Sequence, residues 1–172
     1  MIEFMVLALP RSGTTWASNW LTTEATTCIH DPLFNYRHDE LDSIVSQKSL
    51  GISCTALGFY ADFVNKHPAR KVILRRDLSE INSSLVGIGL TDMPEGSDRV
   101  MEKIDGMHVH WTDLFDKPKS IYEFLLQKPF DEERHSQLKL MEIQPNFEGL
   151  TIGKATTRKL IYDLQKILSE EV

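Results

Sequence analysis

Residues 9 to 16, Leu-Pro-Arg-Ser-Gly-Thr-Thr-Trp, gather a guanidinium, three hydroxyls and a glycine between an apolar run and an amphipathic segment. The chemistry open to such a set is the holding of a phosphate or sulfate group. Ile2 to Leu9 reads as a buried strand, and Pro10 with Gly13 turns the chain sharply after it. Trp16, Ala17, Trp20 and Leu21 are then spaced for one face of a helix, expected over 13–25. A glycine-bearing turn between strand and helix aims backbone N–H groups and the positive end of the helix dipole at one point, where an anion is favoured.

The ordinary nucleotide triphosphate loop, G-x-x-x-x-G-K-[ST], fits this stretch poorly. Aligned from Ala8 to Thr15, Ala8 replaces the first glycine and Thr14 stands where the lysine belongs. The cation sits instead at Arg11, inside the loop. Pro10-Arg11-Ser12-Gly13-Thr14-Thr15-Trp16 resembles the 5′-phosphosulfate loop of sulfotransferases, whose usual form is Pro-Lys/Arg-Ser-Gly-Thr-Thr. In that family the loop binds 3′-phosphoadenosine 5′-phosphosulfate (PAPS). A second family feature follows in order: an arginine at a strand end and a serine eight residues later, both on the 3′-phosphate. Arg76 and Ser84 have that separation, after the apolar run Lys71 to Leu74. A guanidinium offers a planar fork to phosphate oxygens, and a serine about two helical turns on returns to the same face. Arg75 is less suited, because its counterpart in register is Ser83.

The resemblance implies transfer of a sulfuryl group from PAPS to an acceptor hydroxyl or amine, with PAP as product. It assigns Arg11 to charge developing on the leaving phosphate, and Thr14, Thr15 and the Gly13 loop to the 5′-phosphate. Ser12 is either a sulfate contact or a helix cap, and Trp16 either stacks beside the adenine or belongs to the core. For the general base the family uses His in its cytosolic branch and Glu in several others, and some members carry an acidic-Pro-Leu sequence after the first helix, where Cys28-Ile29-His30-Asp31-Pro32-Leu33 stands here. Asp31 is the first candidate and His30 the second; a turn-forming role for Asp31 before Pro32 is the alternative. Aspartate in place of glutamate shortens the reach by one methylene.

A looser similarity covers Val109 to Asp131, where the family shows a strand, an acidic-Leu pair and a short helix ending in an apolar-Pro-Phe turn. Near the C-terminus, Gly149 to Lys159 only partly echoes the segment that closes the 3′-phosphate site in cytosolic members, with Lys154 the nearest cofactor contact. His108 and His110 share a face of a strand, without a third residue at suggestive metal-ligand spacing. No metal is expected.

At 172 residues with 41% hydrophobic content, one α/β domain over residues 1–172 is expected to bury a full core. A net charge of −6 argues against a nucleic-acid partner. An anionic cofactor is compatible, since only the local field of Arg11, Arg76 and the helix ends acts on it. Two cysteines without C-x-x-C, and an apolar N-terminal run too short to span a bilayer, lead to the expectation of a cytoplasmic protein with no membrane partner. The acceptor is expected to be a small molecule or glycan.

The elements that must position these residues alternate between β and α, which predicts a three-layer sandwich around a mostly parallel sheet. Strands are expected near 2–9, 26–30, 50–54, 71–75 and 107–111, and helices near 13–25, 38–48, 57–67, 77–88, 118–128 and 154–170. Gly87 to Gly106 reads as a mobile surface loop, either an ordinary connection or a cover over the site. Both anion-binding turns then fall at carboxyl ends of strands. Two other readings remain: a divergent P-loop nucleotide or small-molecule kinase, and a PAPS- or PAP-binding module without catalysis.

Overall fold

A computed structural model describes residues 1–141 and 151–170, with side chains for 1–141 and 157–169. Phe-Met-Val-Leu-Ala forms β1 (Phe4–Ala8), every residue of which is buried. Such an unbroken apolar run is what a central parallel strand covered on both faces requires. β1 lies between β3 (Ser49–Cys54) and β4 (Arg70–Arg75), with β2 (Thr26–His30) beyond β3 and β5 (Met107–His110) beyond β4. All four pairings are parallel. The five strands coincide with the expected ones to within two residues at each end.

The period of two divides the core between the two faces of the sheet. Met5, Leu7, Ile52, Cys54 and Ile73 join one cluster; Phe4, Val6, Ala8, Val72 and Leu74 join the other. The first is covered by α2 (Ala61–Lys66), α3 (Leu78–Val86), α4 (Ser97–Glu102) and α8 (Thr151–Glu170), through Val64, Ile81, Leu85, Val100, Met101, Ile161 and Leu164. The second is covered by α1 (Thr14–Leu21), α5 (Asp113–Asp116) and α6 (Pro118–Leu126), with α7 (Glu132–Lys139) adding His135 against the Trp16 and Trp20 rings. This is the α/β sandwich expected, with an all-parallel sheet. Gly51 pairs with Phe4 across β3 and β1, and a Cβ there would lie 2.0 Å from Phe4 Cζ. The bare backbone makes room for the ring.

Three local expectations are corrected. The helix expected over 38–48 is a 3₁₀ segment, His38–Ser43, and the chain beyond it leaves helical geometry at Ile44. The helix expected over 57–67 is a 3₁₀ turn, Leu57–Phe59, followed by the shorter α2. The stretch from Gly87 to Gly106 is not simply a loop: Gly96, in left-handed conformation, opens α4, whose Ser97, Val100 and Met101 are buried. Apolar contact with the sheet holds that segment in place. The helix α7 has no counterpart among the expected elements. Among the described residues, no helix is long and apolar enough to cross a membrane.

Candidate functional site

The turns that leave β1, β2, β3 and β4 share one edge of the sheet, because parallel strands all end on the same side. Ala8 is in register with Leu74, Leu7 with Cys54, and His30 with Ser53. Residues distant in sequence therefore meet just beyond these positions.

The loop after β1 contains two left-handed residues, Arg11 at φ 65° and Gly13 at φ 89°. Gly13 accepts the first helical bond of α1 from Ala17 N–H at 2.9 Å. A Cβ on Gly13 would stand 3.0 Å from Leu114 Cδ1, so the turn favours glycine by both conformation and space. Ser12 is fully buried, and its hydroxyl donates to the Pro10 carbonyl at 3.4 Å. The Thr14 carbonyl accepts from Ser53 Oγ at 2.8 Å, which ties the start of α1 to β3.

Arg11 reaches the second motif directly: its Nε donates to Ser84 Oγ at 2.9 Å. Arg76 donates from Nη1 to the Arg11 carbonyl and from Nε to Glu80 Oε2 at 3.0 Å. The Arg76 guanidinium also lies over the Trp111 ring, 4.4 Å from its centroid. The Trp111 backbone N–H in turn donates to the Arg75 carbonyl at 2.8 Å, so the end of β5 sets the ring beside the end of β4. Arg11 is half-buried, and no carboxylate among the described residues pairs with it. Its pKa is lowered, first by burial and then by the neighbouring Arg76. Two adjacent guanidiniums with a single carboxylate between them form a field that favours an anion. Arg75 is placed elsewhere, paired through Nη2 with Glu102 Oε1 at 3.0 Å.

The candidate bases stand on the other side of the loop. His30 Nε2 is 3.2 Å from Thr14 Oγ1, 3.2 Å from Thr15 Oγ1 and 3.4 Å from Asp31 Oδ2. Asp31 ends β2 in left-handed conformation at φ 43°. Its Oδ1 accepts from Thr55 N–H at 2.7 Å and Thr55 Oγ1 at 3.1 Å. The same carboxylate borders Cys54, whose thiol is pushed up to about 12, chiefly by burial and next by Asp31. Both readings of Asp31 thus have a structural basis, since it precedes the 3₁₀ turn Pro32–Phe34 and also touches His30.

Of the two readings of Trp16, the structure shows the core position. Trp16 is 8% exposed, with its ring against Trp20, Phe115 and His135. His108 Nε2 donates to the Ile104 carbonyl at 2.8 Å, and His110 Nδ1 is 2.9 Å from Thr112 Oγ1. The segment from Gly149 to Lys154 lies outside the residues described in full. Sequence reasoning brought Arg11, Arg76 and Ser84 to one place but missed Thr55, Trp111 and Glu80. Glu80 had a signal, four residues after Arg76; Thr55 and Trp111 follow strands whose neighbours only the sheet order reveals. No protein-family model matches this chain, and neither curated proteins nor solved structures provide a match.

Proposed function

We propose that this chain is a PAPS-dependent sulfotransferase, transferring a sulfuryl group to an acceptor hydroxyl or amine. The observation that carries the reading is the meeting of Arg11, Arg76 and Ser84 beside Thr14 and Thr15, where the half-buried Arg11 guanidinium has no carboxylate partner among the described residues. That donor set fits a ligand with two separate anionic groups. Arg76 and Ser84 would hold the 3′-phosphate, and the loop from Arg11 to Thr15 the phosphosulfate. PAPS, when bound, supplies a sulfuryl group on an activated phosphate bridge.

The protein's own work is then placement, charge stabilisation and proton removal. Arg11 stabilises negative charge on the leaving phosphate oxygen. The His30–Asp31 pair takes the acceptor proton as the new S–O or S–N bond forms and the bond to the phosphate oxygen breaks. Placement of Arg76 depends on Trp111, Glu80 and the Arg11 carbonyl, which engage the guanidinium from three directions. Trp16, buried as it is, is left out of the adenine contacts.

Calorimetric titration with PAP, Mg·ATP and adenosine 5′-phosphosulfate tests the reading. Binding of PAP with little affinity for the ligand lacking the 3′-phosphate is expected. Binding of Mg·ATP with PAP silent would favour the kinase reading instead. PAP binding without sulfation across a broad panel of hydroxyl and amine acceptors would favour a binding module.

A further inference from the structure

Three oxygens converge on His30 Nε2. Two hydroxyls from the first turn of α1 reach the same nitrogen at 3.2 Å, and the Asp31 carboxylate approaches it at 3.4 Å. One ring nitrogen cannot serve three oxygens with one proton or one lone pair. The His30 side chain is 34% exposed, whereas the Asp31 carboxylate is anchored through Oδ1 by two hydrogen bonds from Thr55.

We infer that His30, as imidazolium, is a third ligand beside Thr14 and Thr15 for the anion held by the loop, so that anion affinity and His30 protonation are linked. This rests on the phosphosulfate reading of the loop and assigns the two members of the pair different work. A neutral ring donates from Nε2 only in the Nε2–H tautomer, and otherwise turns a lone pair toward the anion. An imidazolium donates in either case and adds a positive charge, which offsets the Asp31 charge as well. Asp31 Oδ2 is then the atom left to take the acceptor proton. Asp31, the next residue in the chain, faces the His30 ring nitrogen, and Cys54 on β3, which borders Asp31, is kept a neutral thiol by its raised pKa. Cys54 therefore keeps its proton between about pH 5 and 8, the range in which histidines titrate.

The linkage is reciprocal: an anion that binds the protonated form more tightly must raise the His30 pKa by the same factor. The experiment is an NMR titration of the His30 ring in the intact protein, without ligand, with sulfate and with PAP. Sulfate is the primary probe because it keeps its charge throughout this range, whereas a phosphate monoester does not. A rise of about one pKa unit at saturation is expected, with sulfate affinity increasing roughly tenfold from pH 8 to pH 5.5. His30→Gln, at an exposed position that retains a donor, is expected to flatten that dependence while PAP still binds. PAP or sulfate binding with the His30 pKa unmoved or lowered overturns the inference and leaves the proposed function standing. Failure of both anions to bind overturns both.

Discussion

Arg11 and Ser84, 73 residues apart, share a 2.9 Å hydrogen bond from guanidinium Nε to hydroxyl Oγ. The bond joins the turn after β1 to the second half of α3, and it does so because β1 and β4 are neighbours in the sheet. A neutral hydroxyl is thus a side-chain partner of that arginine. The Arg11 backbone is engaged as well, through its carbonyl and Arg76.

Replacing Arg76 by alanine removes a guanidinium that touches Glu80, Trp111 and the Arg11 carbonyl. PAP affinity is expected to fall by about 1.5–3 kcal/mol, the range for hydrogen bonds to charged groups, with the far-ultraviolet circular dichroism unchanged. Calorimetry reads the first and spectroscopy the second. A variant that unfolds would mark Arg76 as a structural residue.

Arg11→Ala separates binding from transfer. It leaves Arg76 and Ser84 in place, so PAP affinity is expected to drop less than in Arg76→Ala, while sulfation of an identified acceptor is abolished. Wild-type turnover in Arg11→Ala would remove the role given to this side chain.

Gly51→Ala is expected to be among the most destabilising single substitutions in the sheet. The added Cβ would fall 2.0–2.4 Å from three ring atoms of Phe4, both residues being buried in paired central strands. Overpacking at such a site costs about 1–3 kcal/mol or more, measurable as a lowered midpoint in urea. Gly51→Ala combined with Phe4→Leu should recover part of the loss, because the clash is with the ring itself.

The two cysteines predict an alkaline limit to stability. Cys54 is raised from 9.0 to about 12 in the folded chain, and burial raises Cys28 as well. Folded thiols therefore hold protons that unfolded ones release, so the contribution is fully present below about pH 9 and is lost as pH rises toward 12. Denaturant midpoints should decline over that window, and less steeply in Cys54→Ala after correction for its lower starting stability. Near neutral pH, neither cysteine should react with a thiol reagent until the protein unfolds.

The sheet was legible in the sequence because its strands are apolar runs bounded by turn residues, as in Phe4 to Ala8 before Pro10. Residues 97–102 were not. Proline and glycine on both sides hide a helix whose apolar side, Val100 and Met101, is only two residues wide. Glu132 to Lys139 is almost wholly polar; its start is marked by Asp131, whose Oδ1 accepts from Arg134 N–H at 2.9 Å, and that signal is local and weak without knowledge of what the helix covers. The 3₁₀ segment at His38–Ser43 replaced a longer helix because Leu41 alone among its residues is buried, leaving no apolar stripe to extend it. At the site, spacing paired Arg76 with Ser84. The contact of His30 with Thr14 and Thr15 depends on β3 lying between β1 and β2, an order that residue spacing does not encode.

The partition of the aromatic residues has a spectroscopic consequence. Trp16 and Trp20 lie in the cluster on the α1 and α6 side, and Trp111 packs against the same cluster. These are all three tryptophans of the chain. Tryptophan emission, excited selectively at about 295 nm where tyrosine hardly absorbs, therefore views one layer, and Trp111, under a guanidinium that the proposed ligand would engage, reports on the site as well. The opposite layer, with α2, α3, α4 and α8, holds tyrosine but no tryptophan and does not contribute to that emission. Circular dichroism sees both, so a difference between the two unfolding curves would show the layers separating in time or in denaturant, and coincidence would show them melting as one unit.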